Sequence, residues 1–576
     1  MSNRLFRCMA VAALIAVSGC AVPQPEMAAK PVRDFIDSGA SEIVVSANPQ
    51  ASAAGLAILR AGGTAVDAAI AMQAVLGLVE PQGSGLLGGS VTLVWDPKTS
   101  EITTYDGMAT APAAATKAVT LGRNGNLLDP RELPFSPRAV GVPGVIPALY
   151  VAHRAQGKLS WEALFEPAIA LAEHGAAMPK QLHDLLSEPG ADTAYADLRA
   201  PYLNADGKLI DIGQSFRNPA YAAVLKRVAK LGPAGLYAEG GMEAVLSALH
   251  HGQHPSLIVE ADLRNVTPRV TKALCAPWQD LRICTAPAPA MGGIVMLQIL
   301  CMVKSGDPTD ASFVHRFLEA SRLAEADRRR YLADPNFADV PVEGLLDPAY
   351  LQSRAALIQP GSTIDRPRPG ELEDEESMLA DPNTPMSATS EIAVVDADGR
   401  AVSMTSTLNF HFGARIAAEG MVFNNALLNF APPPPTSLPG NGGHYANEMA
   451  PGKRPLSPIA PVIVLGADNK PLLVGGGAGG PVIPDTLAMT LIDILARHAC
   501  LQQALSDGHF TAADPDHIVL ETGTPAIALR PALEAIGHRV ELETVDTGTA
   551  ILLHGADGWS GLADPRRDGG PAQGAK

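Results

Sequence analysis

The spacing of apolar residues along the chain predicts both strands and helices. The expected strands are 43–46, 90–95, 102–105, 391–395 and 401–408. The expected helices are 51–60, 64–79, 145–153, 161–174, 221–230 and 313–332. Thr64 and Asp67 match a capping box at the start of the second helix. Strands and helices in this order predict sheets sandwiched by helices.

Residues 361–388 interrupt this pattern with prolines and a cluster of acidic side chains. Such a composition is typical of a solvated loop or linker. The preceding helix 313–332 carries four charged side chains that we expect on its solvent side: Glu319, Arg322, Glu325 and Arg329. Directly after the segment, Asp398-Gly399 separates the strands 391–395 and 401–408, which predicts a β-hairpin.

The N-terminus has the features of an export signal. Residues 1–19 contain Arg4, Arg7 and a short apolar run, and Val17-Ser18-Gly19-Cys20 resembles a bacterial lipobox. Cys20 is therefore the expected lipidation site, with residues 20–40 as a tether. The alternative is an ordinary secretory signal with an incidental cysteine. No later apolar stretch approaches the ~20 residues that a membrane span needs.

Composition argues against nucleic acid as a partner and leaves the pairing of Cys275 with Cys284 undecided. The 576-residue chain has 47% hydrophobic and 18% charged residues, as in a globular protein with a sizeable core. Its net charge of −17 argues against nucleic acid as the main partner. Six cysteines are too few for a disulfide scaffold. Cys275 and Cys284 flank one short segment, so an exported chain permits their pairing.

Thr389 lies where the acidic segment meets the hairpin. Cleavage between Ala388 and Thr389 would expose an α-amine with a pKa of about 7.7–8.0. That amine can act as a general base for the hydroxyl of the same residue. A threonine after a linker is by itself weak support for a catalytic nucleophile. The motifs around Thr389 supply the stronger evidence.

Several motifs in order resemble the gamma-glutamyltransferases. They are Thr389–Gly399, Thr405–Asn409, Phe423–Asn425, Lys453–Ser457, Gly475–Gly480, Ala61–Ala69 and Ala288–Gly293. The similarity covers roughly residues 41–565. It implies an α+β fold, the N-terminal-nucleophile (Ntn) hydrolase αββα sandwich. It also implies a precursor that cuts itself into a large subunit, 41–388, with 361–388 as a flexible acidic segment, and a small catalytic subunit, 389–576.

The resemblance also implies roles for individual residues. Thr389 matches the nucleophile, and Thr407 matches the position that hydrogen-bonds it. Gly479 and Gly480 match the backbone donors of an oxyanion hole, where bare N–H groups can approach a developing oxyanion. Water or an amine would resolve the acyl-enzyme, and no metal or organic cofactor is expected.

The substrate-binding positions depart from the family pattern. Asn409 and Ser457 match residues that hold the glutamyl group. Met108 stands where the family has a carboxylate-binding arginine, and Asn429 stands where it has an amine-binding acid. Glu391 replaces a frequent histidine. Both formal charges that would recognise a zwitterion are thus absent, and losing one partner of a desolvated pair costs about 2–5 kcal/mol.

Neighbouring side chains keep two interpretations each. Arg415 either restores a cation to the pocket or lies at the surface. His411 either lines the pocket or has a surface role. His444 or Tyr445 either covers the pocket or belongs to a surface loop.

Three functions follow from these observations. The first is an exported, lipid-anchored, self-processing gamma-glutamyltransferase or glutathione hydrolase that acts on a small-molecule amide. The second is an acylase for a non-glutamyl, glutaryl-type amide, as in cephalosporin-acylase-like relatives. The third is a binding lipoprotein without catalysis. We expect the periplasmic side of a bacterial membrane, and the absence of Asp after Cys20 favours the outer one.

Overall fold

The computed structural model describes residues 40–120, 128–129, 131–372, 378–386, 388–433, 444–514 and 516–575. Cys20, the signal peptide and nearly all of the tether lie outside the described residues, as do Ser387 and most of the acidic cluster. No helix in the described ranges combines the length and apolarity needed to cross a bilayer.

The first of two large sheets has seven antiparallel strands. Their order is Gln573–Ala575, Glu42–Ser46, Ala388–Val395, Ala401–Asn409, Gly89–Asp96, Glu101–Asp106 and Arg269–Lys272. The predicted hairpin therefore forms the centre of this sheet, with Thr407 directly opposite Thr389.

The second sheet has six antiparallel strands. Their order is Gly558–Ala563, Ala550–Gly555, Pro471–Gly477, Ala460–Leu465, Leu281–Thr285 and Leu274–Trp278. Cys275 and Cys284 face each other on its last two strands and form a disulfide, which decides the pairing that the sequence left open. Both sheets contain strands from before and after Thr389.

Smaller sheets and helices complete the fold. The small sheets pair Ala176–Ala177 with Ser215–Phe216, Ala417–Ala418 with Met421–Val422, and Ile518–Glu521 with both Phe510–Thr511 and Val540–Glu543. The α-helices are Pro49–Arg60, Ala65–Val79, Val145–Gln156, Glu166–His174, Lys180–Ser187, Ala191–Ala194, Pro219–Leu231, Gly241–His250, Glu260–Arg264, Gly292–Val303, Ala311–Tyr331, Val342–Leu345, Pro348–Ala355, Ile483–Leu491, Leu501–Ser506 and Arg530–Ile536.

Helices cover the outer face of each sheet, which gives an αββα sandwich. Ala65–Val79 packs on the central hairpin of the first sheet, and all 15 of its residues are buried, as expected for a helix that is apolar all round. Gly292–Val303 and Ile483–Leu491 pack on the second sheet. A third apolar cluster, which includes Val91, Ile463 and Val474, fills the space between the sheets.

The helix Ala311–Tyr331 differs from its prediction. Glu319 is fully buried and Glu325 nearly so, whereas the sequence placed both on a solvent side. The described coil after residue 360 contacts Glu319: the Ile364 N–H donates to Glu319 Oε2 at 2.7 Å. Asp381 is buried as well, and its N–H donates to the Arg329 carbonyl at 2.7 Å. The described parts of 361–386 are coil that is tied to the helix at these points, with Asp381 and Pro385 buried and the other described residues partly or fully exposed.

Candidate active site

Thr389 and Thr407 form a buried pair in the centre of the first sheet. The Thr407 hydroxyl donates to the Ala388 carbonyl at 2.7 Å. The Asn409 N–H donates in turn to Thr407 Oγ1 at 2.8 Å. The carbonyl that precedes Thr389 thus has a fixed hydroxyl donor, placed to stabilise negative charge that develops on its oxygen.

The carbonyl group of Thr389 itself is held by Arg567, which is connected in turn to Asp546 and His411. Arg567 Nη1 donates to the Thr389 carbonyl at 2.7 Å, and its Nη2 contacts Asp546 Oδ1 at 3.2 Å. Asp546 Oδ2 lies 3.2 Å from His411 Nε2. Partial burial alone would raise the pKa of Asp546, whose side chain is 45% exposed, but the Arg567 guanidinium and the His411 ring hold this pKa below its usual range. Sequence reasoning missed Arg567 and Asp546, because no local motif marks them.

A second acid, Glu80, contacts Ser390, the residue after Thr389. Ser390 Oγ donates to Glu80 Oε2 at 2.6 Å, and both side chains are buried. Burial raises the pKa of Glu80 to about 7, although Arg567 acts to lower it. The residue next to Thr389 is therefore tied to a carboxyl group that titrates near neutral pH.

Glu391 is, like Glu80, a buried acid, and it lies two residues after Thr389. Its carboxyl group accepts from Thr405 Oγ1 at 2.6 Å and from Ser403 Oγ at 3.1 Å. Burial raises its pKa well above the usual value, although the two hydroxyls act to lower it. A Cβ on Gly476 would lie 2.6 Å from Glu391 Oε2, so the facing strand needs glycine there.

The predicted oxyanion residues follow that facing strand. Gly479 has φ +136° and Gly480 has φ +70°, both in the region that favours glycine. A Cβ on Gly479 would lie 2.3 Å from the Asp546 carbonyl oxygen. The glycine turn therefore lies close to the backbone of Asp546, whose side chain contacts Arg567.

A cavity of about 430 Å³ opens beside the residues that precede Thr389. Its described walls include Met386, Phe410 and Asn429. Phe410 directly follows Asn409, which pairs with Ala388 in the sheet. The cavity volume falls in the range of small-molecule sites, roughly 300–1,000 Å³.

Comparison with known proteins identifies the family. The gamma-glutamyltranspeptidase family profile matches residues 51–574. The chain belongs to this family. A glutathione hydrolase proenzyme of Pseudomonas aeruginosa is 34% identical over 84% of this chain and 86% of its own length. The acylase ACY 1 proenzyme of Pseudomonas sp. strain SE83 is 31% identical over 96% of both chains.

The fold agrees with that assignment. The cephalosporin acylase of Bacillus halodurans superposes with a TM-score of 0.80 at 24% identity, covering 96% of this chain and 99% of its own. The protein is thus an enzyme of the gamma-glutamyltranspeptidase family with the expected Ntn-hydrolase sandwich.

Asn409 and Ser457, which the sequence predicts as substrate-binding residues, have unpaired polar atoms in the described structure. Asn409 has φ +82°, and its Nδ2 donates to the Asn425 carbonyl at 3.2 Å. Within the described part of the chain, neither Asn409 Oδ1 nor Ser457 Oγ has a hydrogen-bond partner, although both are buried. Such groups are costly to leave unpaired, so both are suited to bind a ligand.

Asn429 and Met108, where the resemblance implies charged residues, lie in different parts of the fold. Asn429 lines the cavity, where its side chain pairs with both backbone groups of Met386. Met108 is only 3% exposed and belongs to the apolar cluster between the sheets. Its backbone adjoins Gly89, which pairs with Thr407, but its side chain does not reach the described cavity wall.

The structure places Arg415, His411 and Tyr445, for which the sequence allowed either a pocket or a surface position. The Arg415 guanidinium stacks 3.6 Å from the centre of the Phe135 ring and is not part of the described cavity wall. His411 contacts Asp546 beside the glycine turn. Tyr445 is buried and bridges to Leu379, so this end of the loop packs against the segment before Thr389.

One buried cluster has metal-ligand residue types, namely His315, Glu319 and His538. His315 Nε2 lies 2.8 Å from the Gln359 carbonyl, which can only accept, so His315 Nδ1 accepts from His538 Nε2 at 2.8 Å. Arg322 and a backbone N–H occupy the Glu319 carboxylate. The cluster is internally hydrogen-bonded, and burial lowers the pKa of His538 to about 4.

Proposed function

We propose that the protein is a self-processing amide hydrolase or acyltransferase with Thr389 as its nucleophile. The observation that carries this proposal is the Thr407 hydroxyl, which donates to the Ala388 carbonyl directly opposite Thr389. A carbonyl polarised in this way is prepared for attack by the adjacent hydroxyl. Family membership supports the same chemistry.

Processing would begin with attack of Thr389 Oγ on the Ala388 carbonyl carbon. The C–N bond breaks, the new ester joins Ala388 to the Thr389 oxygen, and the nitrogen takes the hydroxyl proton. Water then hydrolyses the ester and leaves a carboxylate on Ala388 and a free amine on Thr389. The large subunit would end at residue 388 and the small catalytic subunit would begin at 389.

Turnover would use the same hydroxyl on an external amide. The freed amine accepts the hydroxyl proton as the acyl-enzyme forms, and the leaving amine is then protonated. The Gly479 and Gly480 backbone N–H groups would stabilise the tetrahedral oxyanion. Water or an amine releases the acyl group, and this sequence of steps needs no cofactor.

Two classes of acyl donor are each supported by an observation. Gamma-glutamyl donors such as glutathione are supported by the glutathione hydrolase names of the relatives. A non-glutamyl amide is supported by the acylase relative and by the pocket, where Asn429 is neutral and Met108 lies in the core. Both classes use the same acyl-enzyme chemistry.

Denaturing gels with mass spectrometry of the fragments test processing. Wild-type protein should give two fragments, one that ends at Ala388 and one that begins at Thr389. Thr389→Ala should give one intact chain, while Thr522→Ala, an exposed threonine in the same part of the chain, should be cut normally. An intact wild-type chain after prolonged incubation would refute the proposal.

The lipid anchor is a separate proposal. Cys20 would carry the lipid and place the enzyme on the periplasmic side of a bacterial membrane. Wild-type protein should then fractionate with membranes and incorporate labelled palmitate, whereas Cys20→Ser should not. Equal palmitate labelling of both proteins would contradict lipidation at this cysteine.

A further inference from the structure

The unprocessed chain shows what the acyl site accepts, if the proposed function holds. The same Thr389 hydroxyl attacks the Ala388 carbonyl during processing and the donor carbonyl during turnover. The donor's acyl group must therefore take the place that the residues before Thr389 occupy in the uncut chain. Met386 is two residues from Ala388, so its backbone lies within about 7 Å of that carbonyl.

Neutral groups hold the segment in this place. The Met386 N–H donates to Asn429 Oδ1, and Asn429 Nδ2 donates to the Met386 carbonyl, both at 3.0 Å. Asn429 Nδ2 also donates to the Leu456 carbonyl at 3.0 Å, which fixes the orientation of the amide. No formal charge takes part in these contacts.

The cavity beside Met386 is mainly apolar. Its lining includes Val119, Leu133, Phe410, Leu427, Phe430 and Met449. Residues 382–386 form one wall, and release of this segment would enlarge the cavity without removing the other walls. Among the described lining residues the only charged side chain is Glu448, an anion.

None of the three cations Arg415, Lys453 and Arg454 belongs to the described cavity lining. Arg415 stacks on Phe135, and Lys453 Nζ donates to the Ala446 carbonyl at 2.6 Å. Arg454 contacts Asp106 at 3.2 Å. A glutaryl or gamma-glutamyl carboxylate would therefore enter a mainly apolar cavity whose described lining contains Glu448 and no cationic side chain.

We propose that the acyl group which this enzyme accepts is uncharged and mainly apolar, and that it occupies the cavity beside Leu427 and Phe430. Asn409, which pairs with Ala388 in the sheet, would supply a neutral polar contact to the reacting amide through its Oδ1. The acyl class thus differs from both the gamma-glutamyl and the glutaryl group, while the threonine chemistry is unchanged.

A series of p-nitroanilides tests this proposal with the processed full-length protein. The donors are acetyl, butyryl, hexanoyl, phenylacetyl, glutaryl and gamma-glutamyl anilide. We expect kcat/KM to rise with chain length from acetyl to hexanoyl, with an upper limit of about fourfold per methylene. Hexanoyl or phenylacetyl anilide should exceed the glutaryl and gamma-glutamyl donors by at least about tenfold.

A matched pair of variants locates the effect. Leu427→Ala should lower the ratio of hexanoyl to acetyl kcat/KM by about tenfold, while Leu542→Ala, an exposed leucine on the small sheet, should leave it unchanged. The ratio is independent of how much protein folds. If Leu427→Ala leaves the ratio unchanged, the acyl group does not occupy this cavity.

The outcomes separate this inference from the proposed function. Efficient cleavage of glutaryl or gamma-glutamyl anilide, with poor cleavage of the apolar donors, overturns the inference and leaves the threonine chemistry intact. Correct processing without turnover of any of the six anilides also overturns it. An uncut wild-type chain, or equal turnover by Thr389→Ala, would instead refute the proposed function.

Discussion

The backbone around Thr389 is held by side chains that are distant in sequence. Thr407 donates to the carbonyl before it and Arg567 to its own carbonyl, while Glu80 accepts from Ser390, which follows it. Glu80 and Ser390 are 310 positions apart. The environment of the Ala388–Thr389 peptide bond is therefore assembled by the fold.

Removing the Thr407 hydroxyl should slow processing. Thr407→Val keeps the size of the side chain but loses its donation to the Ala388 carbonyl, at a cost of about 1–3 kcal/mol, or roughly 5- to 150-fold in rate. The measurement is the appearance of the fragment that begins at Thr389. Thr407→Ser should process near the wild-type rate, and equal rates for the Ser and Val variants would exclude a role for the hydroxyl.

Glu80 should make stability depend on pH. The folded chain keeps this proton up to about pH 7, whereas the unfolded chain releases it near 4.5. Stability should therefore fall as the pH rises between these values, by on the order of 3 kcal/mol, and stay lower above them.

The test compares Glu80→Gln with its parent, both in a Thr389→Ala background that keeps the chain continuous. The unfolding temperature of the Gln variant relative to its parent should be higher at pH 8 than at pH 5. The same difference at both pH values would show that Glu80 is not held protonated in the folded chain.

At the scale of elements, strands from the two sheets meet closely where Glu391 faces Gly476. Gly476→Ala would place a Cβ 2.6 Å from the Glu391 carboxylate and 2.9 Å from the Ala460 carbonyl oxygen. Overpacking of this kind costs roughly 1–3 kcal/mol. Thermal unfolding should show the loss.

The neighbouring glycine gives the control. A Cβ on Gly477 would meet its nearest neighbour at 3.4 Å, an ordinary contact, so Gly477→Ala should be much milder. Combining Gly476→Ala with Glu391→Ser should recover part of the loss. Equal effects of the two single glycine substitutions would contradict this account of the interface.

The sequence predicted those elements whose signals are local. Thr64 and Asp67 form the expected capping box, because the contact joins residues three positions apart. The burial of Glu319 was not predictable, since the coil that covers it has no apolar period. Thr389, Thr407 and the glycine turn followed from the family resemblance, whereas Asp546 and Arg567 reach the site only through the fold.

At the scale of the whole molecule, both halves of the chain build both sheets. The strand Ala388–Val395 lies between Glu42–Ser46 and Ala401–Asn409, and Ala460–Leu465 pairs with Leu281–Thr285. A cut before Thr389 would leave each fragment with incomplete sheets and exposed apolar faces.

The two fragments should therefore stay together after cleavage. Under native conditions they should co-elute in size-exclusion chromatography at the position of the uncut Thr389→Ala chain. Denaturant should be needed to separate them. Elution of the fragments at two positions in native buffer would contradict the shared sheets.

Asn429 holds both backbone groups of Met386, and this has a consequence for a newly cut molecule. The fresh carboxyl terminus would remain bound where the first substrate must enter, so the enzyme would start as a self-inhibited complex. Its activation would then include departure of this tail, and a synthetic peptide with the same terminal residues would compete with substrate.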